Sequence, residues 1–408
     1  MASRGRGASG RKSIPPAPKL PCDVSKTDNE LSNPILIIDG HLDMAFNALY
    51  KRRDLTQPVQ VLREREDPIR GDVSQHADSL ERRTGPWPQK AATVTVTLPE
   101  MRKGRVGIML TTVMARVQAP TAATHNSVRT QAVAHARGRS HLHYYEALER
   151  EGEIFWIKTA DDLDKSVAMW ADPKDDTPIG LILTMESADP ILGPDNVAFW
   201  AEAGLKSVSL THFGANTYGH GTGTVGGLYP PAYPLMDALA ETDIAIDLSH
   251  ASDLAFWQIL DHWKGPVHAS HCNCRALVPG QRHLSDDMVK AITDRGGVIG
   301  MVFAEQMLSP FWNWDNPSTH YANSTRPMKA AIAHIDHICE LTGSTDHVAF
   351  GTDLDGGFGR ELSPIDYNTI DDLQTFLDNL RDHGYAEKDV EKIANGNLIR
   401  FFKTAWKG

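Results

Sequence analysis

The sequence predicts an α/β fold, a TIM-barrel-like (β/α)8 single domain with loop insertions. From residue 31 onward, short apolar runs rich in β-branched residues alternate with longer helical patterns, as is typical of βα units around a parallel sheet. Eight such runs can be distinguished, which is the number of strands in a TIM barrel. The length of 408 residues suits one barrel with insertions. An open doubly wound sheet is the alternative.

The predicted strands are short and mostly apolar, as expected of strands that are buried on both faces. The clearest helix between them is SDDMVKAITDRGG (285–297), where Ser285 can cap the first turn and Gly296 can end the helix. Asp286 and Asp287 suit the positive end of its dipole. In chain order the strands are ILIID (35–39), VGIMLTTV (106–113), IGLILTME (179–186), SVSLTHF (207–213), IAIDLSH (244–250), VHASHC (267–272), VIGMVF (298–303) and HVAFGTD (347–353).

Three segments are expected to lie outside the barrel wall or on its surface. Residues 1–30 are basic and Pro-rich and lack the apolar core of a secretory signal, so we expect a disordered tail before the barrel domain, residues 31–408. The insertion at about 50–97 is polar and rich in Arg and Pro, and we expect it to fold over the barrel mouth. The polar helical segment 125–152 is expected to carry its histidines, at positions 125, 135, 141 and 143, on a solvated face.

Composition limits the classes of partner. Hydrophobic residues make up 41% of the chain and charged residues 23%, which indicates a soluble globular protein. A net charge of −11 argues against a nucleic-acid partner, because an acidic chain repels phosphates. No apolar run approaches about 18 residues, so no membrane anchor is expected. The four cysteines form no CxxC pair or dense framework, which favours a reducing compartment and a cytoplasmic location.

Histidine and carboxylate residues follow several of the predicted strands. His41 and Asp43 come two residues apart directly after the first strand, so both side chains point to one side of an extended chain. In TIM barrels the chemistry lies at the carboxyl ends of the strands. Residues of the same kind stand at four further strand ends: Glu186, His250, His271 and Asp353.

These strand-end residues predict a shared cation. A buried charge without a partner is costly, so a core strand has no structural use for a terminal carboxylate. Taken singly, each residue could instead be a hydrogen-bonded histidine or a helix cap. Imidazole and carboxylate ligands without thiolate suit zinc and also accept manganese or cobalt. Five ligands with one bridging carboxylate fit a two-metal site, and Glu186, the lone glutamate, is the predicted bridge.

Seven segments, in this order, carry a resemblance to a known family: IIDGHLD, LTMES, SLTHFGANT, DLSHAS, HASHCNCRAL, QRHLSDDMVKAITDRGGVIGMVF and GTDLDGG. They resemble the membrane (renal) dipeptidase family of zinc metallopeptidases, from about residue 35 to 402. The resemblance implies an amidohydrolase-like barrel with two zinc ions that hydrolyses dipeptides, often with a D-residue at the C-terminal position, and a possible homodimer. It places His41 and Asp43 on the first zinc, Glu186 between the two, and His250 and His271 on the second.

The resemblance also implies roles for three residues around the metals. Asp353 would shuttle a proton from the attacking water to the leaving amine, and His212 would stabilise the oxyanion and contact the substrate. Arg282 would bind the free carboxylate of the substrate, which its planar guanidinium fits well. The sequence departs from the family pattern at Ser187 and Ala188, where the residue after the glutamate is usually glycine.

Three functions are therefore considered. The first is a zinc-dependent dipeptidase that recognises a free amine and a free carboxylate on a small dipeptide. The second is a related metal-dependent amide or ester hydrolase that acts on N-acyl amino acids, lactones or another small conjugate. The third is a non-catalytic binding protein that keeps the barrel, against which the complete set of predicted ligands argues.

Overall fold

The computed structural model describes residues 34–72, 93–118, 127–311 and 326–406. The predicted tail, residues 73–92 of the predicted insertion and His125 lie outside these ranges. Among the described helices, none combines the length and the apolar character needed to cross a bilayer.

The described part of the chain contains eleven strands and fourteen α-helices. The strands are β1 (Ile37–Leu42), β2 (Val106–Met114), β3 (Arg116–Val117), β4 (Ser127–Val128), β5 (Ile154–Trp156), β6 (Ile179–Glu186), β7 (Leu205–Ser209), β8 (Ala245–Asp247), β9 (Val267–His268), β10 (Ile299–Met301) and β11 (Val348–Phe350). The helices are α1 (Met44–Tyr50), α2 (Val59–Asp72), α3 (Leu98–Lys103), α4 (Gln131–Arg150), α5 (Ala160–Met169), α6 (Val197–Ala203), α7 (Ala232–Leu239), α8 (Asp253–His262), α9 (Asp286–Thr293), α10 (Glu305–Leu308), α11 (Ala330–Thr342), α12 (Leu373–His383), α13 (Glu387–Glu391) and α14 (Asn397–Ala405).

Eight of the strands form a parallel barrel in the order β10, β11, β1, β2, β6, β7, β8, β9. A parallel bridge between Ala269 and Ile299 brings the chain after β9 beside β10 and nearly closes the ring. The predicted TIM-barrel-like fold is confirmed, and each of the eight predicted strands contributes one barrel strand. Strand β5 was not predicted; it pairs with residues 179–181 of β6, while β7 pairs with residues 183–186.

The main chain after β9 closely approaches Gly300 of β10 and Gly351, the residue after β11. A Cβ atom at Gly300 would lie 1.9 Å from the carbonyl oxygen of Ser270, and a Cβ atom at Gly351 would lie 1.8 Å from it. Real atoms cannot approach so closely, so both positions require glycine. The Ser270 carbonyl is thereby held between two strands, directly before His271.

Helix α4 buries one histidine that we expected to be solvated. His141 is fully buried, and its Nδ1 accepts a hydrogen bond from the Met114 N–H at 3.4 Å. It lies in the helical stripe that faces the barrel, since its neighbours in that stripe, Gly138 and Tyr145, follow the helical repeat. The prediction was therefore wrong for His141, whereas His143 is exposed and His135 is half-buried.

The two described ends of the insertion meet at one carboxylate. Arg53 donates to Asp355 Oδ2 at 3.3 Å and to Asn47 Oδ1 at 2.7 Å. On the other side, the backbone N–H groups of Thr95 and Val96 donate to the Asp355 carboxylate at 3.0 and 3.1 Å. Asp355 follows strand β11, so both ends are fixed at the carboxyl ends of the barrel strands.

Candidate metal centre

The carboxyl ends of four strands bring the five predicted ligands together. His41 lies in β1, and Asp43 directly precedes α1. Glu186 is the last residue of β6. His250 and His271 lie in the turns after β8 and β9. All five ligand residues are at most 5% exposed. The residues gathered at this end are His41, Asp43, Glu186, His250 and His271, with Asp353 beside them at a side-chain exposure of 18%.

Glu186 lies at the centre of the cluster. Its Oε1 atom is 3.2 Å from His250 Nε2, 3.4 Å from His271 Nε2 and 3.8 Å from His41 Nε2. His212 also approaches the same oxygen, with its Nε2 at 3.3 Å. One carboxylate oxygen therefore has four imidazole nitrogens around it.

The donor atoms form groups of the size that a cation needs. His41, Asp43 and Glu186 form one group with mutually close donor atoms, and Glu186, His250 and His271 form another. The two groups share Glu186. A third group combines His41 and His271 with Asp353.

The distances and the unsatisfied atoms fit a metal ion. A tetrahedral ion with bonds of about 2.0–2.2 Å separates its ligands by about 3.3–3.6 Å, close to the separations around Glu186 Oε1. The Nε2 atoms of His250 and His271 lie 3.0 Å apart. The buried Nε2 of His41 has no hydrogen-bond partner among the described residues. Since buried polar atoms normally have partners, these nitrogens fit a cation better than an empty space.

Hydroxyl groups contact the Nδ1 atoms of two of the predicted ligand histidines and so orient their rings. His271 Nδ1 lies 2.6 Å from Ser270 Oγ, which in turn donates to Asp247 Oδ2 at 2.6 Å. His250 Nδ1 lies 3.1 Å from Thr222 Oγ1. Partners of this kind fix the ring of a metal-binding histidine.

Backbone strain is concentrated at the same end of the barrel. Ser187, His250, Asp353 and Asp355 have positive φ angles of 75°, 63°, 58° and 62°. This left-handed conformation is uncommon for residues other than glycine and costs about 1–3 kcal/mol each. The strained residues turn the chain sharply after the strands, and two of them, His250 and Asp353, reach the cluster.

Electrostatics favour the metal-binding forms of some ligands and oppose that of Asp43. Burial raises the pKa of the Glu186 carboxyl, but the imidazoles of His212 and His41 outweigh it and hold that pKa well below its usual value. Burial, helped by the charges of His41 and Arg282, lowers the pKa of His271 to about 3. Burial and the charge of Glu186 raise the pKa of Asp43 to about 6. Glu186 is therefore ionised and His271 neutral at pH 7.

Comparisons with known proteins identify the family of this chain. The family model of the membrane dipeptidases, peptidase family M19, matches residues 26–407. This chain belongs to the membrane dipeptidase family. Members of this family are metallopeptidases, which implies a metal cofactor, and the cluster around Glu186 contains candidate metal-binding groups.

Relatives within and near the family cover different shares of the chain. An uncharacterised protein in the pqqA 5′ region of Klebsiella pneumoniae is 31% identical over 223 residues, which are 53% of this chain and 77% of that protein. Dipeptidase 3 of Macaca fascicularis is 26% identical over 208 residues, 51% of this chain and 37% of that protein. An uncharacterised dipeptidase of Schizosaccharomyces pombe is 24% identical over 231 residues, 55% of this chain and 53% of that protein. The chain thus spans about half or less of these two dipeptidases.

Solved structures share the barrel of this family. A metallopeptidase of Rhodobacter sphaeroides, bound to a phosphinate mimic of the dipeptide L-Ala-D-Ala, is 21% identical with a TM-score of 0.71. A structure described as dipeptidase AC is also 21% identical, with a TM-score of 0.70. Each comparison covers 92% of this chain and 100% of the other chain. At this level of identity the likeness shows the fold.

The predicted substrate residues of this family member lie beside the cluster. Arg282 is 6% exposed, and its guanidinium donates to the His271 carbonyl at 2.8 Å and to Cys272 Sγ at 3.2 Å. These contacts hold the guanidinium against the turn that carries His271. His212 presents Nε2 to Glu186 and Nδ1 to a guanidinium nitrogen of Arg116.

Several residues around the site were not predicted. Arg116 follows the second barrel strand closely, so the rule that chemistry collects at strand ends could have selected it. Ser270 and Thr222 contact the rings of His271 and His250, and Asp247 contacts the cluster through Ser270. Their importance depends on contacts between separate strands and loops, and a single sequence carries no signal for such contacts.

Proposed function

We propose that this protein is a zinc-dependent dipeptidase with two zinc ions, acting on small dipeptides and tolerating a D-residue at the C-terminal position. The observation that carries the proposal is the pair of donor groups that share Glu186, one with His41 and Asp43 and one with His250 and His271. A bridging carboxylate between two buried ligand groups is typical of two-metal hydrolases.

The donor atoms support zinc. The grouped ligands are imidazole nitrogens and carboxylate oxygens, which zinc binds readily. Cys272, the thiol next in sequence to His271, contacts Arg282 and Ser249 and belongs to none of the described donor groups. When bound, zinc would polarise the scissile carbonyl and make water a stronger nucleophile near neutral pH.

Asp353 is the proposed proton carrier. It is more exposed than the five ligands, and its Oδ1 lies 3.9 Å from His41 Nε2, at the edge of the cluster. Burial, together with the nearby carboxylates of Asp43 and Glu186, raises the pKa of Asp353 well above its usual value. A carboxyl group that readily takes up a proton at this position can receive one from water and return it to the leaving amine.

Arg282 and His212 are proposed to bind the substrate. The guanidinium of Arg282 is already held by the His271 carbonyl and the Cys272 thiol, so little freedom is lost when it binds a carboxylate. His212 Nε2 points into the cluster, where it can donate to the oxygen that becomes negative during attack. Tolerance of a D-residue is supported by the Rhodobacter sphaeroides structure, whose ligand mimics L-Ala-D-Ala.

The test is hydrolysis of paired L-Xaa-L-Xaa and L-Xaa-D-Xaa dipeptides and their N-acetyl derivatives, with zinc-loaded and chelator-treated protein. We expect metal-dependent cleavage of both free series and two zinc ions per chain by elemental analysis. Cleavage of the acetylated compounds alone would replace the proposal with an N-acyl amino acid hydrolase. Failure to bind metal would reject both and support a non-catalytic barrel.

A further inference from the structure

Three histidines approach the same oxygen in the same way but differ in the group that contacts Nδ1 on the other side of the ring. His212, His250 and His271 place their Nε2 atoms 3.3, 3.2 and 3.4 Å from Glu186 Oε1. His250 and His271 belong to a potential cation group, whereas His212 belongs to none of those found among the described residues. What distinguishes His212 is the chemical nature of the group at its Nδ1.

The groups behind His271 and His250 are hydroxyls whose hydrogens are used elsewhere. Ser270 Oγ donates its hydrogen to Asp247 Oδ2 at 2.6 Å, so it must accept from His271 Nδ1. Thr222 Oγ1 points its hydrogen toward the His250 carbonyl at 3.4 Å and can accept from Nδ1 of the same residue at 3.1 Å. A neutral imidazole carries one hydrogen, so both rings leave Nε2 as a bare lone pair, which is the form that binds a metal.

The group behind His212 imposes the opposite arrangement. Arg116 directs its NH1 at His212 Nδ1. A guanidinium has hydrogen-bond donors only, so Nδ1 must offer its lone pair and the single ring hydrogen must lie on Nε2. His212 therefore faces Glu186 with an N–H group and has no lone pair there for a cation.

Arg116 is held firmly enough to impose this state. It is 7% exposed and lies in β3, directly after the end of the second barrel strand. Its neighbour Val117 donates its N–H to Asp189 Oδ2 at 2.8 Å and pairs with Val128 of β4. The backbone directly after Arg116 is thus fixed by two contacts.

We infer that Arg116 is a positioning residue that fixes His212 as an Nε2–H donor and keeps it out of the metal ligand set. The arrangement gives the site a neutral donor next to the metal ligands, which can stabilise a developing oxyanion without a change of protonation. The use of this donor in catalysis rests on the proposed function, but the position of the hydrogen does not.

The experiment is NMR of metal-free protein labelled with ¹⁵N histidine, in which the shifts of Nδ1 and Nε2 report the tautomer of each ring. His212→Gln identifies the signals of His212. We expect hydrogen on Nε2 for His212. Arg116→Met should mix or invert the tautomer of His212, and Arg116→Lys, which also donates only, should restore it. Hydrogen on Nδ1 of His212 in the unaltered protein would overturn the inference, as would an unchanged tautomer in folded Arg116→Met.

A kinetic measurement on zinc-loaded protein separates positioning from general stability. Loss of one oxyanion donor lowers kcat by about 10²- to 10³-fold, so Arg116→Met should lower kcat by at least about tenfold. KM should change by less than about threefold and Arg116→Lys should recover most of the loss. An equal kcat in Arg116→Met and the unaltered protein contradicts the positioning role. Because the NMR measurement needs no substrate, it tests the tautomer of His212 independently of dipeptide hydrolysis.

Discussion

His250 and His271 face each other with their Nε2 atoms 3.0 Å apart, and Glu186 Oε1 lies within 3.4 Å of both. Three atoms with lone pairs converge there without a positive charge between them among the described residues. A cation bound between them would be attracted by all three lone pairs and would remove their mutual repulsion. The metal is therefore expected to contribute to the stability of the fold as well as to the reaction.

Removal of the metal should lower the melting temperature. A ligand at about 100 times its Kd stabilises the folded state by about 2.7 kcal/mol, which corresponds to a shift of several degrees. Thermal unfolding of chelator-treated protein, before and after addition of zinc, measures this effect. His262→Ala, which alters an exposed histidine bound to Asp237, should leave the shift intact. Equal melting temperatures with and without metal would contradict the prediction.

Asp353→Asn should remove activity and retain the metal. Because a proton carrier of this kind contributes about 10²- to 10⁴-fold, kcat should fall by that amount. Metal content should stay close to that of the unaltered protein, measured by elemental analysis on the same sample. The exposed Asp195→Asn serves as a matched control with unchanged activity. Joint loss of metal and activity in Asp353→Asn would make Asp353 chiefly a ligand.

Arg282→Met should weaken the preference for a free carboxylate. A charge-assisted hydrogen bond contributes about 1.5–3 kcal/mol, so kcat/KM for a dipeptide should fall by about tenfold or more relative to its C-terminal amide. The ratio of the two kcat/KM values is the measurement, since it cancels general damage to the site. Arg139→Met, at an exposed arginine, provides the control. A ratio that does not change would rule out Arg282 as the carboxylate-binding residue.

Metal affinity should decrease as the pH falls below about 6. Burial and Glu186 raise the pKa of Asp43 to about 6, so below that pH the metal-free carboxyl holds a proton that binding must displace. The raised pKa makes the protonated state favourable at low pH, and affinity therefore increases with pH through this range. Isothermal titration with zinc in buffers of different ionisation enthalpy should show proton release at about pH 5.5. An affinity that is constant between about pH 5 and 7 would oppose this assignment.

The sequence predicted the barrel well because strand ends carry both structural and chemical signals. Several predicted strands were too long at their carboxyl ends; for example, the prediction continued to His250, whereas β8 ends at Asp247. The apolar pattern continues, but His250 adopts a positive φ of 63° and leaves the sheet to join the cluster. Strain of this kind is a property of the folded chain, so periodicity gives no indication of it.

The contacts that orient the ligands were not predicted for a different reason. Arg116 and His212 are separated by 96 residues, and Ser270 acts on His271 only because Asp247 accepts its hydrogen. Each of these residues is chemically ordinary in sequence. Strand β5 was not predicted because its three residues are too few to show an alternating hydrophobic pattern.

Asp355 joins two segments of the chain that are far apart in sequence. Arg53 and the backbone N–H of Thr95 both donate to its buried carboxylate, which follows β11. A buried carboxylate and its donors depend on one another, because either one left without a partner is costly. Loss of this single carboxylate would therefore release both segments from the barrel together.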